Sequence, residues 1–212
     1  MEIEIFSNHF LLLSQKAMYW EEKKTLLIAD LHLGKITHFR KEGIALPSSA
    51  YENNFKRLDE IINSFLVERI ILLGDLFHNR HNEEWDLFSA WRKKYDIIEI
   101  ILVLGNHDIL PTHLFESSKI SYYNKEYIEG NFTFSHHPQK IIQQNTFTFC
   151  GHIHPVYCLK YTGKQSLRLP CFVLDPFQAI LPGFGVFTGG FEMKALDNRK
   201  FFVIAEQKVF EV

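Results

Sequence analysis

The stretch Leu26–His32 reads LLIADLH, an apolar run that leads directly into an acidic residue and a histidine. Four apolar residues in a row are typical of a strand that is buried on both faces of a sheet. Residues two apart in an extended chain point to the same side, so the side chains of Asp30 and His32 can face one ion. The segment therefore predicts a buried strand that ends in two candidate metal ligands.

The same arrangement recurs four more times along the chain. Further apolar runs predict buried strands at Ile70–Leu73, Ile100–Leu104, Phe132–Phe134 and Thr146–Cys150. These runs lead into the segments GDLFH (74–78), GNHD (105–108), SHHP (135–138) and GHIHP (151–155). Open α/β sheets carry their sites at the carboxyl ends of strands, so we expect the five clusters to converge on one rim.

Two helices are predicted between these strands. Apolar residues recur at helical spacing in two segments: Tyr51, Phe55, Leu58, Ile62 and Phe65 in the first, and Trp85, Phe88 and Trp91 in the second. The candidate N-caps are Ser48 or Ser49 and Asn82. From about Tyr157 onward the pattern predicts short strands separated by turns. These features indicate an α/β (α+β) chain in which two packed sheets, with helices outside, form a single domain over residues 1–212.

Composition excludes several classes of protein. Of the 212 residues, 46% are hydrophobic and 23% are charged, which is ordinary for a globular chain and unlike a disordered one. The net charge of -2 shows that basic residues are not in excess overall, but it is compatible with a local basic groove. The first residues, Met1 to Glu4, do not predict a signal peptide, no apolar run has the length of a membrane span, and the three cysteines lack a disulfide framework. We therefore expect a cytoplasmic protein with no membrane association.

The candidate ligands also indicate which metals suit them. Carboxylate, amide and imidazole groups without thiolate favour borderline divalent ions such as Mn, Fe, Co, Ni or Zn. There are more ligands than one tetrahedral ion needs, and two ions that share one carboxylate would use them all. Each short motif taken alone is ordinary, since Gly-Asp is usually a turn and a lone histidine is usually structural. Five such clusters in this order favour a metal site.

The ordered blocks D-x-H, G-D, G-N-H-D, H and G-H-x-H, which span Asp30 to His154, resemble those of the calcineurin-like metallophosphoesterases. The longer strings ADLHLGK, HFRKEGIALP, GDLFHNRHNEEWDLFSAWR and ILPGFGVFTGG resemble a narrower group, the bacterial DNA-ligase-associated metallophosphoesterases, which are related to the SbcD nuclease subunit. The resemblance covers nearly the whole chain. It implies a four-layer αββα sandwich of two mixed β-sheets flanked by helices.

The resemblance also implies a role for each candidate residue. The implied ligands are Asp30, His32 and His154 for one metal ion and Asn106, His136 and His152 for the other, with Asp75 bridging the two. His107 would contact the phosphate and protonate the leaving oxygen, and Asp108 would orient His107. Because His137 adjoins His136, the assignment between these two stays open, and His136 is preferred because it follows the strand directly. Mn²⁺ is the expected metal, with Fe, Zn, Ni or Co as alternatives.

The expected activity is hydrolysis of phosphodiester bonds, as a DNA endonuclease or phosphodiesterase linked to DNA repair. Four residues of the loops after the first two motifs are candidates for a basic substrate-binding rim: Arg40, His78, Arg80 and His81. The alternative is that these are solvated loop charges. SbcD-type nucleases carry an additional DNA-contacting domain for which this chain has no room, which favours an endonuclease that acts on accessible or single strands.

Two other functions are compatible with the motifs. The first is hydrolysis of a small nucleotide or another small phosphodiester, which would use the same catalytic residues. The second is a non-catalytic scaffold, although such scaffolds have typically lost ligand residues that this chain retains. Association with a DNA ligase and a helicase is expected from the family relationship alone. The sequence leaves open whether the chain forms a homodimer.

Overall fold

The computed structural model describes residues 1–35, 43, 49–77, 83–140, 144–160, 166–186 and 188–212. Within these residues the chain forms two mixed β-sheets and three helices. The helices are α1 (Ser49–Ser64), α2 (Glu83–Lys94) and α3 (Thr112–Ser117). None of these described helices is long and apolar enough to cross a bilayer.

The first sheet has seven strands arranged in the order of the sequence. They are β1 (Glu2–Ile5), β2 (Asn8–Leu12), β3 (Met18–Trp20), β4 (Thr25–Ile28), β5 (Arg69–Leu73), β6 (Glu99–Val103) and β7 (Ile120–Tyr123). Strands β1 to β4 pair antiparallel, whereas β4 to β7 pair parallel and are connected through α1, α2 and α3 in turn. Parallel pairing places the carboxyl ends of β4, β5 and β6 at one edge of the sheet.

The second sheet is built from the rest of the chain. Its strands are β8 (Glu126–Glu129), β9 (Phe132–Ser135), β10 (Phe147–Cys150), β11 (Pro155–Lys160), β12 (Ser166–Asp175), β13 (Gln178–Ile180), β14 (Phe191–Glu192), β15 (Lys200–Ala205) and β16 (Lys208–Glu211). The spatial order is β14-β11-β12-β13-β10-β9-β8, with β15 and β16 joined to β12. Strands β9 and β10 pair parallel, so the SHHP and GHIHP segments also leave one edge together.

The two sheets pack face to face over a core rich in phenylalanine. Alternation along β4 explains how one strand serves two layers: Leu27 packs between the sheets, whereas Leu26 and Ile28 pack against the helices. From the second sheet, Phe134 and Phe149 enter the same inter-sheet core with stacked rings 5.5 Å apart. A sheet buried on both faces needs strands with continuous apolar runs, such as LLI in β4 and IILL in β5.

The helices of the described residues all pack on the outer face of the first sheet. Trp85, Phe88 and Trp91 of α2 join this layer together with Leu58 of α1 and Phe115 of α3. In the described part of the chain, the outer face of the second sheet carries no helix. It holds instead a small cluster formed by Cys150, Cys171, Val173, Ile180, Phe201 and Val203.

The predicted sandwich of two mixed sheets is confirmed, and each of the five predicted strands is present with its ends displaced by at most one residue. Both predicted helices are present. The candidate caps Ser48 and Asn82 lie outside the described residues. The sequence patterns did not predict β1 to β3, which precede Leu26. Strand β1 alternates between exposed and half-buried positions, so it lacks the continuous apolar run by which buried strands are recognised.

Candidate metal centre

The segment 181–185 connects the carboxyl ends of β4 and β10, one from each sheet, through backbone hydrogen bonds. The Leu181 amide donates to the carbonyl oxygen of Cys150 at 2.8 Å, and the Phe184 amide donates to that of Ala29 at 2.8 Å. The Gly185 amide continues the link to the carbonyl oxygen of Asp30 at 3.0 Å. The strand-end clusters of both sheets therefore meet at one rim, as the sequence predicts.

Five of the candidate ligands have a backbone conformation that residues with a side chain rarely adopt. They have positive φ angles: Asp30 (55°), His32 (48°), Asp75 (50°), His152 (68°) and His154 (51°). Such conformations cost about 1–3 kcal/mol each and persist only where the surroundings enforce them. Hydrogen bonds hold the backbone in these conformations. The His32 amide donates to the carbonyl oxygen of Asp75 at 2.9 Å, and the His152 amide donates to Asp30 Oδ2 at 2.8 Å. Strain of this kind is concentrated at functional sites in proteins.

One ligand group, which we call the first group, consists of Asp30, His32 and His154. One potential ligand atom from each residue lies within 4.8 Å of the others. Asp30 Oδ1 and His154 Nε2 are 3.2 Å apart. Both atoms are buried, and neither has a hydrogen-bond partner among the described residues. Two buried polar atoms without partners that face one another fit a site for a cation.

The orientation of His154 fits the same role. Its Nδ1 lies 2.6 Å from the carbonyl oxygen of Thr188, so the proton is on Nδ1 and the lone pair of Nε2 points towards Asp30. Burial by itself would lower the pKa of His154, but the nearby Asp30 carboxylate and the hydrogen bond to Thr188 raise it above its usual value. The carboxylate thus attracts positive charge to this point, and a divalent ion would supply it.

The other group, which we call the second group, consists of His136, His137 and His152, whose ring nitrogens lie within 4.8 Å of one another. His136 Nδ1 donates to the carbonyl oxygen of Leu73 at 2.9 Å, which leaves Nε2 available for coordination. His152 Nδ1 lies 3.1 Å from His136 Nε2. Burial, and then the neighbouring His136, lower the pKa of His152, which favours the neutral imidazole that binds metals.

Asp75 joins the two groups. Its Oδ2 lies 3.7 Å from His32 Nε2 in the first group and 3.5 Å from His136 Nε2 in the second. Its other oxygen, Oδ1, accepts a hydrogen bond from the His107 amide at 2.9 Å. The carboxylate is almost fully buried, with 3% of its residue surface exposed. One carboxylate in contact with both groups is the arrangement that two ions sharing a bridging ligand need.

The two adjacent histidines have different surroundings. His136 is buried and contacts Asp75, whereas His137 is exposed and its Nε2 lies 2.8 Å from Asn106 Oδ1. His137 also lies against His152, with ring centroids 4.2 Å apart. The preference for His136 as the ligand agrees with its contact to Asp75. His137, which received no role from the sequence, is close enough to the second group to serve it as well.

His107 and Asp108 lie on the loop that follows β6. The His107 ring is at an exposed position, 5.4 Å from the His32 ring between centroids. The carboxylate of Asp108 accepts hydrogen bonds from the amides of Phe77 at 3.1 Å and Gly105 at 2.8 Å. Burial raises the pKa of Asp108 to about 6. Asp108 therefore fixes the loop that carries His107 against the neighbouring Asp75 loop.

Two motif glycines are required because ligand side chains pack directly on the backbone. A Cβ at Gly74, which has a φ of +82°, would lie 2.2 Å from His136 Nδ1. A Cβ at Gly105 would lie 2.2 Å from Asp75 Oδ1 and 2.4 Å from the Asp75 amide nitrogen. Real Cβ contacts are never this short, so a side chain at either position would displace a candidate ligand.

The candidate rim residues Arg40, His78, Arg80 and His81 lie outside the described residues. The rim that is described includes Phe191, which the sequence analysis missed. Its amide donates to the carbonyl oxygen of His154 at 3.0 Å, and 64% of the residue is exposed. No local sequence signal marks this phenylalanine among the 20 in the chain, because its position depends on pairing between β14 and β11.

Comparison with known proteins agrees with this geometry. The family model described as calcineurin-like phosphoesterase matches residues 23–182, so the chain belongs to this family. A structural neighbour is the crystal structure of Pseudomonas putida nuclease MPE, with a TM-score of 0.82 and 29% sequence identity. The match covers 100% of this chain and 99% of that chain. None of the curated proteins matches the sequence.

The family assignment and the ligand groups define the class of the protein. It is a metal-dependent hydrolase that acts on phosphoester bonds. The resemblance to the calcineurin-like metallophosphoesterases is thereby confirmed. Clusters of aspartate and histidine at the rim could bind the divalent ions that this family uses.

Proposed function

We propose that this protein is a two-metal phosphodiesterase that cleaves DNA as an endonuclease on accessible or single strands. The observation that carries the proposal is the position of Asp75 Oδ2, which contacts both His32 and His136 at 3.7 and 3.5 Å. One carboxylate between two ligand groups is what a pair of ions acting on one phosphodiester requires. The similarity to a nuclease over the whole length of both chains supports nucleic acid as the substrate.

The ligands proposed for the two ions are Asp30, His32, Asp75 and His154 for one and Asp75, Asn106, His136 and His152 for the other. When bound, divalent ions would supply a water molecule of lowered pKa and positive charge close to the phosphoryl oxygens. We propose Mn²⁺ as the native metal, with Fe, Zn, Ni or Co as alternatives that suit the same donors.

The protein itself fixes the direction of the ligand lone pairs. The carbonyl oxygens of Leu73 and Thr188 accept hydrogen bonds from Nδ1 of His136 and His154. Each of these rings therefore presents Nε2 to the centre. Backbone carbonyls cannot rotate away as side chains can, so the rings are held in place before any ion binds.

His107 is proposed as the general acid. Its amide is bound to Asp75 Oδ1, and Asp108 anchors the same loop to Phe77 and Gly105. The exposed imidazole is thus fixed beside the metal ligands while its ring can still reach a substrate. A ring nitrogen that carries a proton can donate it to the oxygen that leaves phosphorus, which typically contributes 10²–10⁴-fold to the rate.

The open rim favours a polymer over a small molecule as the substrate. Asn106, His107 and His137 are all exposed, so among the described residues the centre is accessible from solvent on this side. The exposed ring of Phe191 beside His154 offers a surface on which a base can stack. We further propose that Arg40, His78, Arg80 and His81 bind the phosphate backbone.

An assay of the purified protein tests this function. Mn²⁺, Zn²⁺ and a chelator control are each combined with single-stranded DNA, double-stranded DNA and a small aryl phosphodiester. We expect metal-dependent cleavage of single-stranded DNA and of the aryl phosphodiester. Rapid turnover of small diesters with DNA left intact would favour the alternative, an enzyme for a small nucleotide. No hydrolysis of any substrate with any of the metals would favour the scaffold.

We also propose a wider setting for this activity. A link to DNA repair and an association with a DNA ligase and a helicase rest on the family resemblance. A cytoplasmic location is supported by the three cysteines, which are all free thiols. A single domain is supported by the core between the sheets, to which both halves of the chain contribute.

A further inference from the structure

A cleft of about 430 Å³ opens beside the second group. We call it the Lys125 cleft and define it by five of its lining residues: Asn106, Asn124, Lys125, His137 and Gln139. Its volume is within the range of roughly 300–1,000 Å³ typical of ligand sites. Of the five residues, Asn106 is a proposed metal ligand and His137 adjoins another, His136, so the cleft begins at the centre.

The position of the cleft is fixed by the passage of the chain from one sheet to the other. Asn124 and Lys125 form the turn between β7, at the edge of the first sheet, and β8, at the edge of the second. The Leu104 amide donates to the carbonyl oxygen of Tyr123 at 2.9 Å, which holds this turn beside the loop that carries Asn106. The contact of 2.8 Å between Asn106 Oδ1 and His137 Nε2 lies at the end of the cleft nearest the metal ligands.

The polar side chains of the cleft are available to a ligand. Within the described ranges, the side chains of Asn124, Lys125 and Gln139 have no hydrogen bond or ion pair with the protein. The backbone of Gln139 is nevertheless fixed, because its amide donates to Gln178 Oε1 at 3.1 Å. Lys94, by contrast, is engaged with Asp59 at 2.8 Å. The cleft thus offers one uncompensated positive charge and two amide groups.

The chemistry of these groups indicates what the cleft binds. A lysine ammonium binds a phosphate as a point charge, and amide side chains donate to phosphate and sugar oxygens. The one carboxylate that lines the cleft, Asp108, is buried with both oxygens hydrogen-bonded to amides, so it offers little repulsion to an anion. None of the described residues that line the cleft is a phenylalanine, tyrosine or tryptophan, so a base finds no large aromatic ring there on which to stack.

We propose that the Lys125 cleft binds the sugar-phosphate unit next to the scissile phosphodiester, with Lys125 as a substrate-positioning residue. The inference rests on the proposed nuclease function and adds the direction in which the strand leaves the metal centre. Contacts of this kind read the backbone and not the bases. The cleft therefore gives the enzyme affinity for a polymer without sequence preference, and a small diester gains nothing from it.

The test compares two substrates in Lys125→Ala, Lys125→Arg and wild-type protein loaded with Mn²⁺. For a single-stranded oligonucleotide, Lys125→Ala should raise KM roughly three- to fivefold, as expected for an exposed charge pair, while kcat is retained. The slope of log(kcat/KM) against log salt concentration should become shallower by the amount expected for the loss of about one phosphate contact. For bis(p-nitrophenyl) phosphate, which is too small to span the centre and the cleft, kinetics should be unchanged. Lys125→Arg should restore the oligonucleotide KM.

A matched control removes a lysine elsewhere. Lys208 is exposed on β16, at the edge of the second sheet, and Lys208→Ala should leave KM and the salt dependence for the oligonucleotide unchanged. Equal melting temperatures of the variants establish that each one folds.

The outcomes separate the inference from the function on which it rests. If the oligonucleotide is cleaved but Lys125→Ala behaves like wild type, or loses activity on both substrates alike, the cleft is not a substrate subsite. If wild-type protein hydrolyses the aryl diester and leaves the oligonucleotide intact, the nuclease function is wrong and the assignment of the cleft is overturned with it.

Discussion

The first and second groups differ in burial and in charge. The first group contains its own carboxylate, Asp30, which is 1% exposed, and it has Asp75 beside it. The second group shares Asp75 but otherwise consists of neutral donors, and His137 and Asn106 at its outer side are exposed. Affinity for divalent cations rises with the number of charged ligands and with their rigidity. We therefore predict that an ion at the first group is held more tightly than an ion at the second.

The substitution Asp75→Asn should have the largest effect, because it removes the carboxylate on which both groups depend. We expect kcat on an aryl phosphodiester to fall by more than about 10³-fold, beyond the loss typical of a single stabilising contact. The bound metal, measured by mass spectrometry, should fall at the same time. Asp59→Asn, which alters a surface pair with Lys94, is the control and should retain activity. Two tightly bound ions in Asp75→Asn would show that the groups are independent.

The substitution His107→Ala separates chemistry from metal binding. His107 is linked to Asp75 through its backbone amide, which the substitution retains, and it is a ligand in neither group. We expect kcat to fall by about 10²–10³-fold with the metal content unchanged. The control is His113→Ala, which removes another exposed histidine, from α3. Full activity in His107→Ala would exclude this residue from the reaction.

The predicted difference in metal affinity between the two groups can be measured directly. Titration of Mn²⁺ into chelator-treated protein should show one tight and one weaker site. His137→Ala should weaken the second site by about tenfold, as is usual when a group supporting a metal ligand is lost, and leave the first site unchanged. His9→Ala, which removes a histidine paired with Glu22 at 2.6 Å, should change neither site. Two equal sites, or a loss at the first site in His137→Ala, would contradict the comparison.

Among the substitutions that compare the two groups, the smallest effect is expected at Phe191, on the side of the first group. If its exposed ring stacks on a base, Phe191→Ala should raise KM for single-stranded DNA roughly five- to tenfold and leave kcat on an aryl diester unchanged. Phe191→Trp should retain the wild-type KM, because it keeps an aromatic face. Phe210→Ala, at an exposed phenylalanine on β16, is the control. An unchanged KM in Phe191→Ala would show that no base stacks on Phe191 beside the first group.

Much of the fold followed from the apolar runs, because strands buried on both faces consist mostly of apolar residues. Leu26–Ile28 and Ile70–Leu73 were recognisable for this reason. The strand β1 was not, since it lies at an edge and alternates in burial. The strands after Tyr157 were expected in kind, but the order in which β11 to β16 pair was not predictable, because pairing depends on contacts between distant residues.

The candidate ligands could also be predicted from short stretches of sequence. Asp30 and His32 follow one strand and Asp75 follows the next, so the sequence alone indicated that these side chains share a rim. The sequence could not separate His136 from His137, because adjacent residues differ only in what lies opposite them. Asp75 lies opposite His136, and Asn106 lies opposite His137. Asp75 and Asn106 both follow strands of the first sheet, whereas the two histidines follow a strand of the second.

The sequence by itself determined the chemistry of this protein: which donors it has, that they follow buried strands, and that thiolates are absent from the set. The tertiary structure decided the rest: the contact of Asp75 with both groups, the place of Phe191 beside His154 and the cleft at Lys125. The physical reason is that a motif fixes only the residues next to it in the chain. The distances across the centre are set by how two separate sheets pack on each other.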